Sequence, residues 1–204
     1  MDKPTPERSP TIKAIVMGCS AGGVEALKYV LTRLPQDFPV PILVVQHIAP
    51  NSSDSLARLL DDVCKIKVKE AEEMELIQSG IVYLAPANYH LQIEPDFTFS
   101  LSIDPPVSYA RPSIDVLFES AAHLIGAQLI GVILTGANDD GSKGLKMVKN
   151  KGGITIIQDP ANAKARKMPE SALNELKPDY IVTLENLHKL LIKLTACLIN
   201  WKTE

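Results

Sequence analysis

Three short segments of the sequence carry side chains that could perform acyl transfer. Residues 18–23 read GCSAGG and fit the pattern G-x-S-x-G, in which a serine lies on a sharp turn with its hydroxyl exposed. His47 follows an apolar run, and imidazole is the side chain best suited to exchange a proton near neutral pH. The loop 134–144 carries two carboxylates, Asp139 and Asp140. These residue types predict a nucleophile, a general base and a carboxylate that orients the base.

Each segment also has an ordinary structural interpretation. The glycine-rich turn is typical of a phosphate-binding loop, or of a simple connection between a strand and a helix. A histidine at the end of a strand is often structural, and either aspartate would serve as a helix N-cap. Cys19 stands next to the serine, but the pattern exposes its middle residue, so we predict Ser20 as the nucleophile. Spacing alone does not decide between Asp139 and Asp140.

The surrounding segments predict the fold that would bring these side chains together. A β-branched run at 11–17 and the segment 129–135 predict strands, and the continuous apolar run at 41–46 indicates a strand that is covered on both faces. Helical periodicity follows two of them, and this alternation predicts an α/β protein with three αβα layers around a doubly wound, mostly parallel sheet. Because parallel strands end at the same edge of a sheet, we expect Ser20, His47 and one aspartate to meet there.

The central part of the chain departs from this alternation. Short β-prone segments at 80–84, 91–94 and 98–103 are separated by turn residues, which predicts an antiparallel hairpin or meander at one edge of the sheet. A short edge strand is predicted at 66–68. Residues 113–125 then predict a helix whose first residue, a serine, is the candidate N-cap.

The composition excludes several classes of protein. The 204 residues are 46% hydrophobic and 22% charged, which excludes a disordered chain, and a net charge of −3 provides no general attraction to nucleic acid. No apolar run reaches the roughly 18–20 residues needed to insert across a membrane. The three cysteines are far apart and lack metal-ligand spacing, so we expect a reduced, cytoplasmic protein without a metal or cofactor. We interpret residues 1–10 as a flexible leader and 11–204 as one catalytic domain.

Several long motifs, in order along the chain, carry a family resemblance. Over residues 13–194 the sequence resembles the catalytic domain of CheB, the chemotaxis protein-glutamate methylesterase. The motifs that carry this resemblance are GCSAGG (18–23), VVQHIAP (44–50), LAPANYHL (84–91), RPSIDVLFESAA (111–122), GVILTGANDDGSKGL (131–145) and GGITIIQDPANAKARKMPESAL (152–173). The resemblance implies hydrolysis of γ-glutamyl methyl esters on chemoreceptor helices, and many members of the family also deamidate receptor glutamines.

The resemblance also implies roles for single residues. Ser20 matches the family's nucleophile, His47 its general base, and Asp140, directly before the glycine of L-T-G-x-x-x-D-G, its carboxylate. Where the family commonly has Thr and Met, this sequence has Ala21 and Ala137. The implied oxyanion-hole donors at these positions are backbone N–H groups, so the change of side chain is compatible with that role.

The implied partner is a methylated chemoreceptor helix rich in Glu and Gln. Basic residues dominate 142–167, and we predict that Arg166, Lys167 and Met168 form a substrate-binding rim, whereas 146–151 form a solvated helix face. Full-length CheB proteins carry a phosphorylatable receiver domain ahead of the catalytic domain. About ten polar residues precede the first strand here, so we expect no receiver domain in this chain and activity that needs no phosphorylation.

Two other functions stay open at this point. One is a Ser–Asp lipid acyl hydrolase, because Asp140-Gly141 resembles the D-G of patatin-like enzymes. Such a dyad enzyme would not depend on His47. The other is a non-catalytic regulatory or phosphate-binding domain, which would show nucleotide affinity at 18–23 without esterase activity.

Overall fold

The computed structural model describes residues 11–47 and 55–196. The predicted leader at 1–10, residues 48–50 of the motif after His47, and the end of the predicted C-terminal helix from Cys197 onward lie outside the described residues. The described part forms nine strands: β1 Ala14–Cys19, β2 Ile42–Gln46, β3 Lys67–Glu70, β4 Ile81–Leu84, β5 His90–Ile93, β6 Phe99–Ser102, β7 Leu129–Ile133, β8 Ile154–Gln158 and β9 Tyr180–Val182. It also forms six α-helices: α1 Gly23–Leu31, α2 Ser55–Asp61, α3 Ile114–Ile125, α4 Ser142–Asn150, α5 Lys167–Glu175 and α6 Leu184–Thr195.

Seven of these strands form one parallel sheet in the order β3-β4-β2-β1-β7-β8-β9. Strands β1, β2 and β7 are buried along their whole length, which explains why their sequences are continuously apolar. The chain runs from β1 outward through β2, and returns to the other side of β1 with β7. The strand order therefore reverses between β1 and β7, and sheets of this kind bind ligands beyond the carboxyl ends of the strands at such a point.

Helices cover both faces of the sheet. Side chains of α1, α2 and α6 share one apolar core with the sheet, and side chains of α3, α4 and α5 share a second core on the opposite face. This arrangement confirms the predicted three-layer αβα architecture. Helix α5 was not predicted, although the sequence analysis placed the substrate-binding rim at its first residues.

The central segments differ in part from the prediction. Strands β5 and β6 pair antiparallel, as predicted, but they form a two-stranded sheet of their own that packs against α3. The assignment of residues 80–84 to the meander is wrong, because β4 lies inside the parallel sheet between β3 and β2. The predicted strand at 66–68 is confirmed as the edge strand β3. Tyr83 of β4 meets Phe99 of β6 edge to face, with ring centroids 4.8 Å apart, and so joins the two sheets.

Close packing of α3 against α4 and β1 determines where the site lies. A Cβ added at Gly144 in α4 would stand 2.6 Å from Phe118 Cβ and 3.0 Å from Asp115 Cα. A Cβ added at Gly18, near the end of β1, would come within 2.3 Å of Ile114 Cγ2 at the start of α3. Glycine at both positions lets the N-terminus of α3 lie directly on β1 and α4.

We expect Gly144→Ala to destabilise the protein, because the added methyl group has no room between α4 and α3. Overpacking of this kind lowers the free energy of unfolding by about 1–3 kcal/mol, which urea denaturation measures. Lys143→Ala, at the exposed neighbouring position on α4, is the matched control and should change stability by less than about 0.5 kcal/mol. Equal stability of Gly144→Ala and the wild type would contradict this account of the α3–α4 contact.

Candidate active site

Asp140 lies at the centre of the site and is completely buried. Its Oδ1 accepts hydrogen bonds from Ser113 Oγ at 2.8 Å and from the Asp115 N–H at 3.1 Å. Its Oδ2 accepts from the Ile114 N–H at 2.7 Å and from His47 Nε2 at 2.8 Å. Three of these donors come from the N-terminus of α3, where the helix dipole also favours a negative charge.

This arrangement differs from ordinary N-capping. Ser113 occupies the N-cap position of α3, as predicted, but its hydroxyl makes no capping bond to its own helix and donates to Asp140 instead. Asp140 precedes α4 in sequence, yet it caps α3. It is also Asp140 that contacts His47, whereas Asp139 is exposed to solvent.

His47 lies one residue beyond β2, and its side chain is 13% exposed. Because the oxygens of Asp140 already accept from other donors, His47 Nε2 carries a proton and donates it to the carboxylate. In the neutral imidazole the second ring nitrogen, Nδ1, is then a hydrogen-bond acceptor, which is the form that a general base requires. The Asn138 amide lies 3.3 Å from this Nδ1.

Ser20 follows β1 directly and is half-buried. Cys19 pairs with Gln46 in the register of β1 and β2, and the His47 N–H donates to the Cys19 carbonyl at 3.1 Å. Since neighbouring strands lie about 4.8 Å apart, Ser20 and His47 leave the sheet side by side. Within 11–47 and 55–196 the Ser20 hydroxyl has no hydrogen-bond partner. The structure thus joins His47 to Asp140 and places Ser20 beside them without a direct bond.

Two buried polar residues that the sequence analysis did not assign hold this edge together. The amide of Gln46 donates to the Ser20 carbonyl at 3.0 Å and to the His47 carbonyl at 2.8 Å, so it ties the two backbones to each other. Thr135, which is 1% exposed, donates its hydroxyl to the Ala21 carbonyl at 2.8 Å, and its own carbonyl accepts from the Ser20 N–H at 2.9 Å. The sequence did contain a signal for these two residues, because each is a polar residue at the end of an otherwise apolar predicted strand.

The two predicted oxyanion-hole residues, Ala21 and Ala137, are both exposed at this edge. In the part of the chain that the structure describes, neither of their N–H groups donates a hydrogen bond. Gly22, which follows Ala21, has φ of +79°, a left-handed conformation that glycine adopts readily. The turn therefore leaves N–H groups at the start of α1 available to a developing negative charge.

The predicted substrate-binding rim lies beside the same turn. A Cβ at Gly22 would stand 2.8 Å from Lys164 Cβ, so residue 164 lies against the nucleophile turn. Arg166 and Lys167 are exposed, and neither has an ion-pair partner among the described residues. Met168 is only 1% exposed and packs on Gly136, so it supports the loop of Ala137 from behind.

The basic residues of α4 are situated differently. Lys146 pairs with Glu175 at 3.0 Å, and Lys149 pairs with Asp179. Their charges are balanced by carboxylates from α5 and the segment after it, whereas no carboxylate of 11–47 or 55–196 pairs with Arg166 or Lys167. This contrast agrees with the interpretation of 146–151 as a solvated helix face.

Other nucleophilic or titratable groups near the site have structural roles. Cys19 is fully buried, burial raises the pKa of its thiol far above the ordinary value, and its Sγ donates to Gln46 Oε1 at 3.1 Å. His90 is 1% exposed, and its Nδ1 accepts from the Ser113 N–H at 3.2 Å.

Across residues 11–47 and 55–196, no group of three His, Cys, Asp or Glu side chains could hold a metal ion. No helix in those ranges is long and apolar enough to cross a membrane.

Asp115 of α3 caps the start of α4, just as Asp140 caps the start of α3. Its Oδ1 accepts from the Gly144 N–H of α4 at 2.7 Å, so each helix start is capped by a carboxylate from the other segment. Burial raises the pKa of Asp115 to about 6, an effect that the Gly144 hydrogen bond opposes and the nearby Asp140 charge reinforces. The ionised form of the Asp115 carboxyl is therefore less favourable in the folded protein than in the unfolded, hydrated chain.

The fold and the site together define a class of protein. A serine after one parallel strand, a histidine after its neighbour and a carboxylate bonded to that histidine are the groups that serine hydrolases use. A family model described as CheB methylesterase matches residues 15–191. Among solved structures, the catalytic domain of Thermotoga maritima CheB methylesterase aligns with a TM-score of 0.86 and 36% identity, covering 91% of this chain and 100% of that domain.

Relatives in sequence point the same way. A Leptospira interrogans protein named for protein-glutamate methylesterase and protein-glutamine glutaminase is 52% identical over 182 residues, which are 89% of this chain and 94% of that relative. A Clostridium acetobutylicum protein named for the same two activities is 36% identical over 186 residues, 91% of this chain. The chain spans 54% of the length of this second relative. The chain belongs to the CheB methylesterase family, as its motifs predicted.

The raised pKa of Asp115 predicts a pH dependence of stability. An ordinary aspartate has a pKa of about 3.9, so ionisation of Asp115 favours the unfolded state progressively between about pH 4 and pH 6. Below this window the carboxyl is protonated in both states and no penalty applies. We expect the unfolding free energy of the wild type, minus that of Asp115→Asn, to fall by about 2–3 kcal/mol across the window.

Asp61→Asn is the control of opposite sign. Hydrogen bonds from Lys67 and from the Val68 N–H lower the pKa of Asp61, so this carboxylate stabilises the fold above its unfolded pKa and loses that effect as the pH falls. The unfolding free energy of the wild type, minus that of Asp61→Asn, should therefore rise with pH. Urea titrations at several pH values measure both differences, and a flat curve for Asp115→Asn would contradict its raised pKa.

Proposed function

We propose that this chain is a serine hydrolase that removes methyl esters from glutamate side chains of methylated chemoreceptors and also deamidates receptor glutamines. The observation that carries the proposal is the His47–Asp140 hydrogen bond at the sheet edge where Ser20 follows β1, in a chain of the CheB methylesterase family. The names of its relatives support both activities. The free thiols of Cys19 and Cys64 support a reducing, cytoplasmic location.

The proposed reaction proceeds in two half-reactions. The Ser20 oxygen attacks the ester carbonyl while His47 Nδ1 accepts the hydroxyl proton, and Asp140 stabilises the resulting imidazolium. The N–H groups of Ala21 and Ala137 stabilise the negative charge on the former carbonyl oxygen. His47 then returns the proton to the departing methoxy oxygen, which releases methanol and leaves an acyl-serine. Water, activated by His47, hydrolyses this ester and restores Ser20.

The alternative of a Ser–Asp lipid hydrolase is less well supported by the geometry. A dyad requires the aspartate to accept the proton of the serine directly. Both oxygens of Asp140 already accept two hydrogen bonds each, and one of these bonds comes from His47. The imidazole therefore occupies the position that a direct Ser–Asp contact would need.

Ser20→Ala and His47→Gln should each lower kcat on a small carboxylic ester by about three orders of magnitude or more, because the residues of such a site act as a unit. Ester hydrolysis followed spectroscopically measures this, and thermal unfolding verifies that both variants are folded. Ser79→Ala, an exposed serine just before β4 at the opposite edge of the sheet, is the matched control and should retain wild-type activity. Full activity of His47→Gln alone would favour the dyad, and full activity of Ser20→Ala would end the proposal.

We propose Arg166 and Lys167 as the basic rim that attracts a Glu-rich receptor helix to the Ser20 turn. The double variant Arg166→Glu/Lys167→Glu should lower kcat/KM on methylated receptor about tenfold at low salt, with a smaller loss at high salt. The decrease in kcat/KM on a small neutral ester should be much smaller. Lys189→Glu/Lys193→Glu makes the same charge change on exposed positions of α6, across the sheet, and is the control. Equal losses on the two substrates would refute the rim.

A further inference from the structure

Asn138 makes a contact that the reaction scheme does not use. It lies on the loop between β7 and Asp140, and its Nδ2 stands 3.3 Å from His47 Nδ1. Its Oδ1 is buried and has no hydrogen-bond partner in the described part of the chain. A buried amide oxygen without a donor is unfavourable, so this side-chain position is not one that the loop favours by itself.

The direction of this contact follows from the hydrogen bonds around it. Because Asp140 accepts three hydrogen bonds from α3, the imidazole must donate from Nε2, and Nδ1 is left as an acceptor. The Asn138 amide is therefore the donor to Nδ1. Asp140 alone is sufficient to fix the tautomer of His47, so the amide is not needed for that purpose.

The amide occupies the one nitrogen that could receive the Ser20 proton. We propose that Asn138 is a positioning residue that blocks the general base in the resting protein and must release His47 Nδ1 before the Ser20 hydroxyl can bind there. This inference rests on the proposed function. The Ser20 hydroxyl, which has no hydrogen-bond partner within the described ranges, is the donor that replaces the amide.

The contact is suited to being broken. At 3.3 Å the hydrogen bond is long, and the unpartnered Oδ1 gains a partner when the side chain turns toward water or toward an N–H of the substrate. Ala137 and Asp139, on either side of Asn138, are exposed, so the loop leaves room for this movement. Substrate that enters the crevice displaces the amide and allows Ser20 to reach the base.

The test measures how fast a small fluorophosphonate probe labels Ser20. Asn138→Ala removes the competing donor, so we expect the second-order rate of labelling to rise about three- to tenfold, the range that one weak hydrogen bond accounts for. For ester hydrolysis the gain should appear in KM, because the free enzyme no longer has to break the contact. The ¹⁵N chemical shift of His47 Nδ1 should change in the same variant, which a merely structural role of Asn138 would not cause.

Asp139→Ala, at the exposed neighbouring position of the same loop, is the matched control and should label at the wild-type rate with an unchanged ¹⁵N shift. If Asn138→Ala does not fold, Asn138→Gly, which also has no side-chain donor, carries the same expectation. Labelling of a folded Asn138 variant that is equal to or slower than wild type overturns the proposal, and so does equal acceleration by Asp139→Ala. Failure of the wild type to label at Ser20 would instead overturn the proposed function.

Discussion

The site depends on one buried carboxylate. Removing the charge of Asp140 from water is costly unless hydrogen bonds replace its hydration, and here four donors do so. Three of them belong to the start of α3 and hold the carboxylate in one orientation. Only the fourth, from His47, belongs to the proposed reacting groups. The orientation of the imidazole is therefore set by where α3 begins.

The contact between α3 and α4 consequently also determines the geometry of the site. Asp140 caps α3, Asp115 caps α4 in return, and glycine at positions 18 and 144 allows the backbones to approach. A change in this packing moves the carboxylate as well as the helices. Burial at this junction raises the pKa of Asp115, and the nearby charge of Asp140 adds to the effect.

The sequence was sufficient to predict the parallel sheet, and it placed Ser20 and His47 at the same edge, because those conclusions need only local patterns and the rule that parallel strands end together. It did not decide between Asp139 and Asp140, since the choice depends on contact with the start of α3, which lies more than twenty residues away in sequence. Strand β4 was misassigned because its partners are β3 and β2, while its neighbours along the chain resemble a meander. Helix α5 was missed because its N-cap is Arg166, a residue type that does not mark the start of a helix in a sequence.

The pairing of basic residues with carboxylates around the site also could not be predicted from local sequence. Carboxylates from α5 and the segment after it pair with lysines of α4, and none of the described carboxylates pairs with Arg166 or Lys167.

Thr135 connects the nucleophile turn with the segment that carries the rim. It donates its hydroxyl to the Ala21 carbonyl and accepts from the Ala165 N–H at 2.8 Å. The Gly136 N–H donates to the Ala165 carbonyl at 3.1 Å, and the Met168 N–H to the Gly136 carbonyl at 2.9 Å. The segment of the proposed rim and the backbone of both proposed oxyanion donors are therefore held by one set of hydrogen bonds. Binding energy gained far from the ester can reach the reacting centre through this single buried hydroxyl and the strand end that carries it.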